Sequence, residues 1–475
     1  MHEVFAALAR NAAHRPDAPA FRDEAQALDW RALAARVSGL THALADAPPV
    51  IGIAVPGGVD FVVADLAVTL SGRRLVPVPF FFSPEQQAHV LADADVGAII
   101  GAPRAASFGL PVIAPNAPDP ARGLRDYGGG ATRVIYTSGS SGRPKGVVLG
   151  DRQLSASVLA LADVVGATAG DKHLSVLPLA QLLEQTCGVF LPILAGAETV
   201  FSAGATFALL GGPVAPFMAA LARENPTTTL VAPSLLARWL DAIDEGGGAA
   251  PASLRFVAVG GAVTPPSVLA RAQAQAIPVC EGYGLSECCA VVAMNAPGDA
   301  MAGTVGRILD PLDVKIIDGE ITVAGPTVMQ GYLNGAPAPE RWHTGDNGHF
   351  HDGRLVVEGR RDALIVTGAG RNISPEWVES RVTADRRIKG AALCHGPDDR
   401  LILVVAPTAP VTPADIGALL SDLPAYARAE AVVFADPGHG GLFFPAGTPN
   451  RAVAADVART GARLSLVDDD EACLT

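Results

Sequence analysis

The chain has 475 residues, about three times a typical domain of roughly 150 residues, which excludes a single small module. Hydrophobic residues make up 49% and charged residues 17%, so a large buried interior is expected and disorder is excluded. A net charge of −13, from 35 Lys+Arg against 48 Asp+Glu, leaves no basic footprint for nucleic acid or an anionic membrane. The only lysines are Lys145, Lys172, Lys315 and Lys389; the arginine excess is what a GC-rich genome produces, yet it draws attention to where each lysine falls. Six cysteines show no CxxC spacing, and adjacent Cys288 and Cys289 suit neither a disulfide ladder nor a zinc site, which points to a reducing compartment. The first fifteen residues lack a basic start with an apolar core, and no stretch approaches the roughly 20 apolar residues of a membrane span, so a cytoplasmic protein is expected.

From residue 1 to about 300, segments of helical period alternate with short apolar runs such as 50–55 and 255–260, the pattern of parallel α/β layers. Between residues 305 and 357 the texture changes to strands with Asp318-Gly319 and Asp352-Gly353 between them, a strong hairpin signal, so this stretch is expected to be antiparallel β. The charged cluster Gly359-Arg360-Arg361-Asp362 marks the expected boundary between a core of residues 1–359 and a small α+β unit of residues 360–475. In that unit Ser374 and Pro375 open one helix as N-cap and first residue, Leu401 to Ala406 form a strand, and Thr412-Pro413 open a second helix.

The densest chemical signal is Tyr136-Thr137-Ser138-Gly139-Ser140-Ser141-Gly142-Arg143-Pro144-Lys145-Gly146, directly after a short strand. Glycines let backbone N–H groups approach a polyphosphate, hydroxyls donate to its oxygens and a lysine neutralises it. The spacing is not that of the Walker loop. This segment resembles the phosphate-binding signature of the adenylate-forming enzymes, the superfamily of acyl-CoA synthetases, peptide-synthetase adenylation domains and luciferases. Further matches follow in order along the whole chain: Gly260-Gly261-Ala262, Glu281-Gly282-Tyr283-Gly284-Leu285-Ser286-Glu287, Gly319-Glu320 through Gly331-Tyr332, His343-Thr344-Gly345-Asp346, the 359–362 cluster, and Gly370 to Glu376.

The resemblance implies activation of a carboxylic acid with ATP and Mg²⁺ to an acyl-adenylate, releasing pyrophosphate, followed by transfer to a thiol. It implies that Thr137 to Gly142 and Lys145 hold phosphate, and that Gly261, Ala262, Glu281, Gly282 and Tyr283 hold the nucleotide, with Tyr283 stacking on adenine. Ser286 would contact the α-phosphate, Glu287 the metal, Asp346 the ribose hydroxyls, and Arg360 the ribose or phosphate, with Asp362 as pivot of the small domain. Gln181, Leu182, Pro233, Ser234, Gly260 and Gly282 are the acyl-pocket candidates. His343 is expected to be structural, and Cys288 and Cys289 small buried hydrophobes.

Three departures stand out. The family's C-terminal lysine is absent; the best counterpart, Gly447-Thr448-Pro449-Asn450-Arg451-Ala452, puts Arg451 or Ala452 at its position, and arginine is not a conservative substitute. Val366 stands where many relatives carry a hinge lysine, and Gln181 where they carry a His or an aromatic gate. No carboxylate announces an α-amino acid substrate, so an aryl or fatty acid is expected, with CoA or a separate carrier protein as acceptor. A second reading, a degenerate adenylate-binding or regulatory protein, rests on the missing lysine.

Overall fold

The structure, a computed structural model, describes residues 1–101, 107–115, 123–137, 143–366, 372–396, 400–443 and 448–466. Two large sheets dominate. The first runs in the order 331–332, 145–150, 132–137, 74–77, 50–54, 98–101, 112–113; the second in the order 307–308, 293–294, 279–283, 256–259, 228–231, 172–175, 198–201, 19–22, 27–29. Interior neighbours are parallel, as the alternation of helices and apolar runs implies, whereas edge pairs such as 132–137 with 145–150 are antiparallel. The interior strands Ala98–Gly101, Thr228–Val231 and Phe256–Val259 are buried at every position, the signature of sheets covered on both faces.

Helices fill the space between the sheets. Val59–Leu70 buries eleven of its twelve residues, so it has no polar face to spare and belongs to a central layer. Its neighbours in one continuous core include Ile51 and Ile135 from the first sheet and Ala258 and Cys280 from the second. The outer face of the second sheet packs Leu174, Val231 and Val257 against Phe217 and Trp239 of two covering helices. The outer face of the first sheet packs Val76, Ile99 and Val134 against Val90 and Leu91 of the helix Pro84–Asp93.

One ion pair crosses the central layer. Arg133, on the strand that leads into residues 138–142, meets Asp65 of the buried helix through a two-pronged contact of 2.9 and 3.0 Å, and both side chains are almost wholly buried. Its guanidinium also donates to Gln185 and lies 4.9 Å from the centre of the Phe190 ring.

The β-rich segment is antiparallel as expected. Asp313–Ile317 pairs with Glu320–Ala324 around Asp318-Gly319, and Arg341–His351 with Arg354–Arg360 around Asp352-Gly353. All four turn residues have φ between 48° and 79°, the left-handed geometry that Asp-Gly tolerates. Residues 388–465 contribute a separate four-stranded sheet with its own cores. The helix Pro375–Val382 is capped by Ser374, and Pro413–Leu419 by Thr412 in a reciprocal pair with Asp415. Among the described residues no helix is long and apolar enough to cross a membrane.

Removing Asp65 strands a buried guanidinium, so Asp65→Ala is expected to cost about 3–5 kcal/mol in chemical denaturation, with Asp65→Leu/Arg133→Met recovering most of it. A loss under about 1 kcal/mol in Asp65→Ala, the range of an exposed pair, would refute the assignment.

Candidate active site

The sequence-nominated residues converge where strands from both sheets end. The strands 172–175, 228–231, 256–259 and 279–283 are successive neighbours, and each is followed by nominated residues: Gln181 and Leu182, Pro233 and Ser234, Gly260 to Ala262, and Ser286 and Glu287. The carboxyl ends of parallel strands are where α/β sheets place ligands, because the loops there are free of the packing that constrains the strands. Gln181 is exposed and directly precedes the helix Leu182–Gln185, Leu182 is buried, and Pro233 opens the helix Pro233–Asp244. A Cβ on Gly260 would sit 3.1 Å from the Gly282 carbonyl oxygen, so the loop after 256–259 touches the strand 279–283 through backbone.

The turn after 279–283 is shaped by one glycine. A Cβ on Gly284 would lie 1.6 Å from the Ala290 carbonyl oxygen, a separation no side chain tolerates. The chain then makes a short 3₁₀ turn over Ser286–Cys288 and turns back through Cys289 and Ala290, both at positive φ. Cys288 and Cys289 are fully buried, and burial pushes both thiols up, which makes them the inert hydrophobes expected.

Two polar constellations follow from this turn. In the first, the Tyr283 hydroxyl donates to Asp346 Oδ2 at 2.5 Å, while Arg360 Nη1 lies 3.4 Å from Asp346 Oδ1. Asp346 and Arg360 are cross-strand partners, and Gly345, at φ 74°, leaves room for the guanidinium. Burial, followed by the Asp346 charge, drives the Tyr283 phenol far above its ordinary range, so it stays a donor. In the second, the Tyr332 hydroxyl donates to Glu287 Oε1 at 2.7 Å, and the Lys145 ammonium lies 5.6 Å from the centre of the Tyr332 ring.

His343 is exposed and pairs with Glu320, in keeping with a structural part. Lys145 opens the strand Lys145–Gly150 opposite Thr137. Ser138, Gly139, Ser140, Ser141 and Gly142 lie outside the described residues, as do Gly370, Arg371 and Gly447 and the side chains of Asp362, Val366 and Asn372.

Arg451 is engaged in ion pairs within the C-terminal unit. It is the first residue of the helix Arg451–Thr460, and its guanidinium is held by Glu379, at 3.0 Å to Oε2, and by Glu376 at 3.1 Å. Glu379 is buried and also accepts from the Leu393 N–H. Both glutamates project from Pro375–Val382, so the arginine fastens two helices of the C-terminal unit. The alternative counterpart, Ala452, is exposed and carries no charge.

Three features were missed in the sequence. They are the Tyr332–Glu287 contact, the Tyr283–Asp346 contact and the environment of Glu281. Spacing carries no trace of the first two, since they join residues 45 and 63 positions apart. Burial pushes the Glu281 carboxyl up to about 7, with a Thr264 hydrogen bond opposing it only in part. A cavity of about 30 Å³ beside His173, Cys187 and Thr228 contains none of the nominated residues in its lining.

Residues 8–124 and 131–333 match the family described as AMP-binding enzyme. The chain belongs to that family. It is 30% identical over 306 residues to the indoleacetate–CoA ligase of Aromatoleum aromaticum, covering 58% of this chain and 57% of that protein. It is 31% identical over 289 residues to the 2-succinylbenzoate–CoA ligase of Bacillus licheniformis, covering 57% and 58%. These matches thus span a little under three fifths of each curated relative. In fold it resembles the O-succinylbenzoate coenzyme A synthetase of Bacillus subtilis solved with AMP, at TM-score 0.81 and 23% identity over 96% of this chain and 99% of that one.

The Glu281 carboxyl generates a pH prediction. Below pH 4.5 both folded and unfolded chains hold the proton; between 4.5 and about 7 only the unfolded chain releases it, so stability falls through that window and then levels. Glu281→Gln abolishes this, and its stability relative to wild type is expected to rise by up to about 3 kcal/mol between pH 4 and pH 8 in urea unfolding. A difference independent of pH would contradict the buried carboxyl.

Proposed function

We propose that the protein is an acid–thiol ligase that activates an aryl acid with ATP as an acyl-adenylate and passes the acyl group to the thiol of CoA. The observation that carries the reading is the Tyr283–Asp346–Arg360 constellation beside the Glu287–Tyr332–Lys145 one, assembled from five separated segments at the ends of the strands. Family membership and the aryl acids in the relatives' names support it.

On this reading the substrate carboxylate attacks the α-phosphorus of ATP, the bond to the bridging oxygen breaks, and pyrophosphate leaves. The thiol, losing its proton, then attacks the acyl carbon and AMP departs. Lys145, Thr137 and the hydroxyls and backbone of residues 138–142 would neutralise and orient the phosphates, and Ser286 would donate to the α-phosphate. Tyr283 would offer its ring face to adenine between Glu281-Gly282 and Gly261-Ala262. Asp346 would accept both ribose hydroxyls; a carboxylate has about four acceptor sites, so Oδ1 and Oδ2 can serve a ribose as well as Tyr283 and Arg360.

Among the described residues no cluster of three His, Cys, Asp or Glu ligands exists. That fits Mg²⁺, which takes one carboxylate, here Glu287, and completes its shell with phosphate and water. When bound it would supply charge neutralisation on the phosphates. Gln181, Leu182, Pro233, Ser234 and Gly260 would border the acyl group. The unit from residue 360 would act as the lid, turning about Asp362 between the two half-reactions. Arg451 stays with Glu376 and Glu379, and the cationic work falls to Lys145 and Arg360. The degenerate alternative draws no support from the relatives, which are named as ligases.

ATP–pyrophosphate exchange across a panel of aryl and fatty acids, followed by thioester formation with CoA or a carrier protein, tests the proposal. Exchange is expected with at least one aryl acid, lost by about a hundredfold or more in Lys145→Ala and Asp346→Ala. Arg451→Ala should instead lower the unfolding free energy in urea by the roughly 3 kcal/mol that an orphaned buried carboxylate costs, and spare most of the exchange rate. No exchange with any acid, in protein that binds ATP, would overturn the proposal.

A further inference from the structure

Tyr332 belongs to no constellation that the sequence singles out for a role, yet it joins two groups that the proposed reaction depends on. It lies on the two-residue strand Gly331–Tyr332, which pairs with Val147 and Val148 and so rides on the same strand that Lys145 opens. Backbone contacts fix it from both sides: the Leu333 N–H donates to the Gly146 carbonyl at 2.7 Å, and the Gln330 N–H to the Val148 carbonyl at 2.9 Å. Behind it the indole of Trp342 meets the ring edge-to-face, with centroids 6.0 Å apart. The ring therefore has little freedom to turn.

Its two polar features point at different partners. The hydroxyl donates to Glu287 Oε1 at 2.7 Å, while no hydrogen bond to Oε2 is found among the described residues. The Glu287 carbonyl in turn accepts from the Met329 N–H at 2.8 Å, so the segment that carries Tyr332 grips Glu287 by both backbone and side chain. The ring face lies 5.6 Å from the Lys145 ammonium, within the range of a cation–π contact.

We propose that Tyr332 is a positioning residue: its hydroxyl fixes one oxygen of Glu287 so that the other faces a divalent cation carried by the nucleotide, and its ring face sets the height of the Lys145 ammonium. This rests on the ligase reading for its purpose but not for its test. A hydroxyl that donates to a metal-binding carboxylate holds it in one orientation and would leave its other oxygen available to the cation. The ring holds the lysine without neutralising it, which a carboxylate partner would do.

The test is calorimetric titration of ATP into the full chain, in Mg²⁺ and in EDTA, for wild type, Tyr332→Phe, Glu287→Gln and the double variant, with unfolding midpoints checked for each. Tyr332→Phe keeps the ring and its packing. It is expected to lose roughly tenfold in affinity in Mg²⁺, the worth of one hydrogen bond to a charged group, and to stay within about twofold of wild type in EDTA. In the double variant the loss should equal that of Glu287→Gln alone, because the two side chains act as one unit. Tyr332→Leu, which removes the ring face as well, should weaken binding in EDTA too. A Tyr332→Phe protein that binds as wild type in Mg²⁺, losses that multiply in the double variant, or a wild type with no preference for Mg²⁺ would each overturn the assignment. A wild type that prefers Mg²⁺ but exchanges no pyrophosphate with any acid would overturn the ligase reading and leave the assignment of Tyr332 standing.

Discussion

The Arg133–Asp65 pair is the constraint on which the arrangement of the two large sheets turns. A guanidinium and a carboxylate that are both buried must satisfy each other, and the two-pronged geometry fixes their relative orientation as well as their distance. Asp65 sits on the helix between the sheets and Arg133 on the strand that ends at residue 137, so the pair sets where that strand delivers the chain. Gln185 and Phe190, the other two neighbours of the guanidinium, belong to the segment following the strand 172–175 of the second sheet. The same segment carries Gln181 and Leu182. One buried cation thereby ties the strand that leads into residues 138–142 to the segment that carries Gln181 and Leu182. Hydrophobic packing alone, being non-directional, would hold the layers together without fixing that register.

From that frame the site is assembled by backbone proximity before any side chain acts. Gly284 lets the chain pass within contact of Ala290, Gly260 lets its loop touch Gly282, and Gly345 admits the Arg360 guanidinium. Each glycine removes a Cβ where two segments must approach. The polar side chains then cross-link what the glycines bring together: Tyr283 to Asp346, Asp346 to Arg360, Tyr332 to Glu287. The candidate site is therefore largely preorganised, and on the proposed reading preorganisation is what electrostatic stabilisation of the group transferred from ATP would require.

What was legible in the sequence divides along a physical line. Local signals read correctly: the Asp318-Gly319 and Asp352-Gly353 hairpins, the Ser374 and Thr412 caps, and the apolar runs that became Val50–Ala54 and Phe256–Val259 are all decided within a few residues. The parallel class was legible too, but not the antiparallel edges such as 132–137 with 145–150, because strand pairing is a tertiary choice. The nominated site residues came from motif resemblance, which names residue types at positions and says nothing of which side chains meet. Hence Tyr332 appeared only as part of a motif, and the high proton affinity of Glu281, a product of burial, carried no signal at all.

The arginine excess gains a structural sense from this architecture. Arg133 with Asp65, Arg255 with Asp171 and Arg451 with Glu379 are all arginines that fasten one element to another through a carboxylate, a task suited to a planar fork of donors. The lysines divide differently. Lys172 and Lys315 have carboxylates 3.7 and 3.5 Å away, and Lys389 donates to the Pro437 carbonyl. Lys145 has an aromatic face as its contact among the described residues, which restrains the ammonium while leaving its charge uncancelled. An ammonium with no carboxylate partner among the described residues would suit a polyphosphate better than an arginine already paired with two glutamates. On the proposed reading, Arg451, paired with Glu376 and Glu379, is not the replacement for the C-terminal lysine, and phosphate neutralisation would fall to the core, where Tyr332 contacts both Lys145 and Glu287.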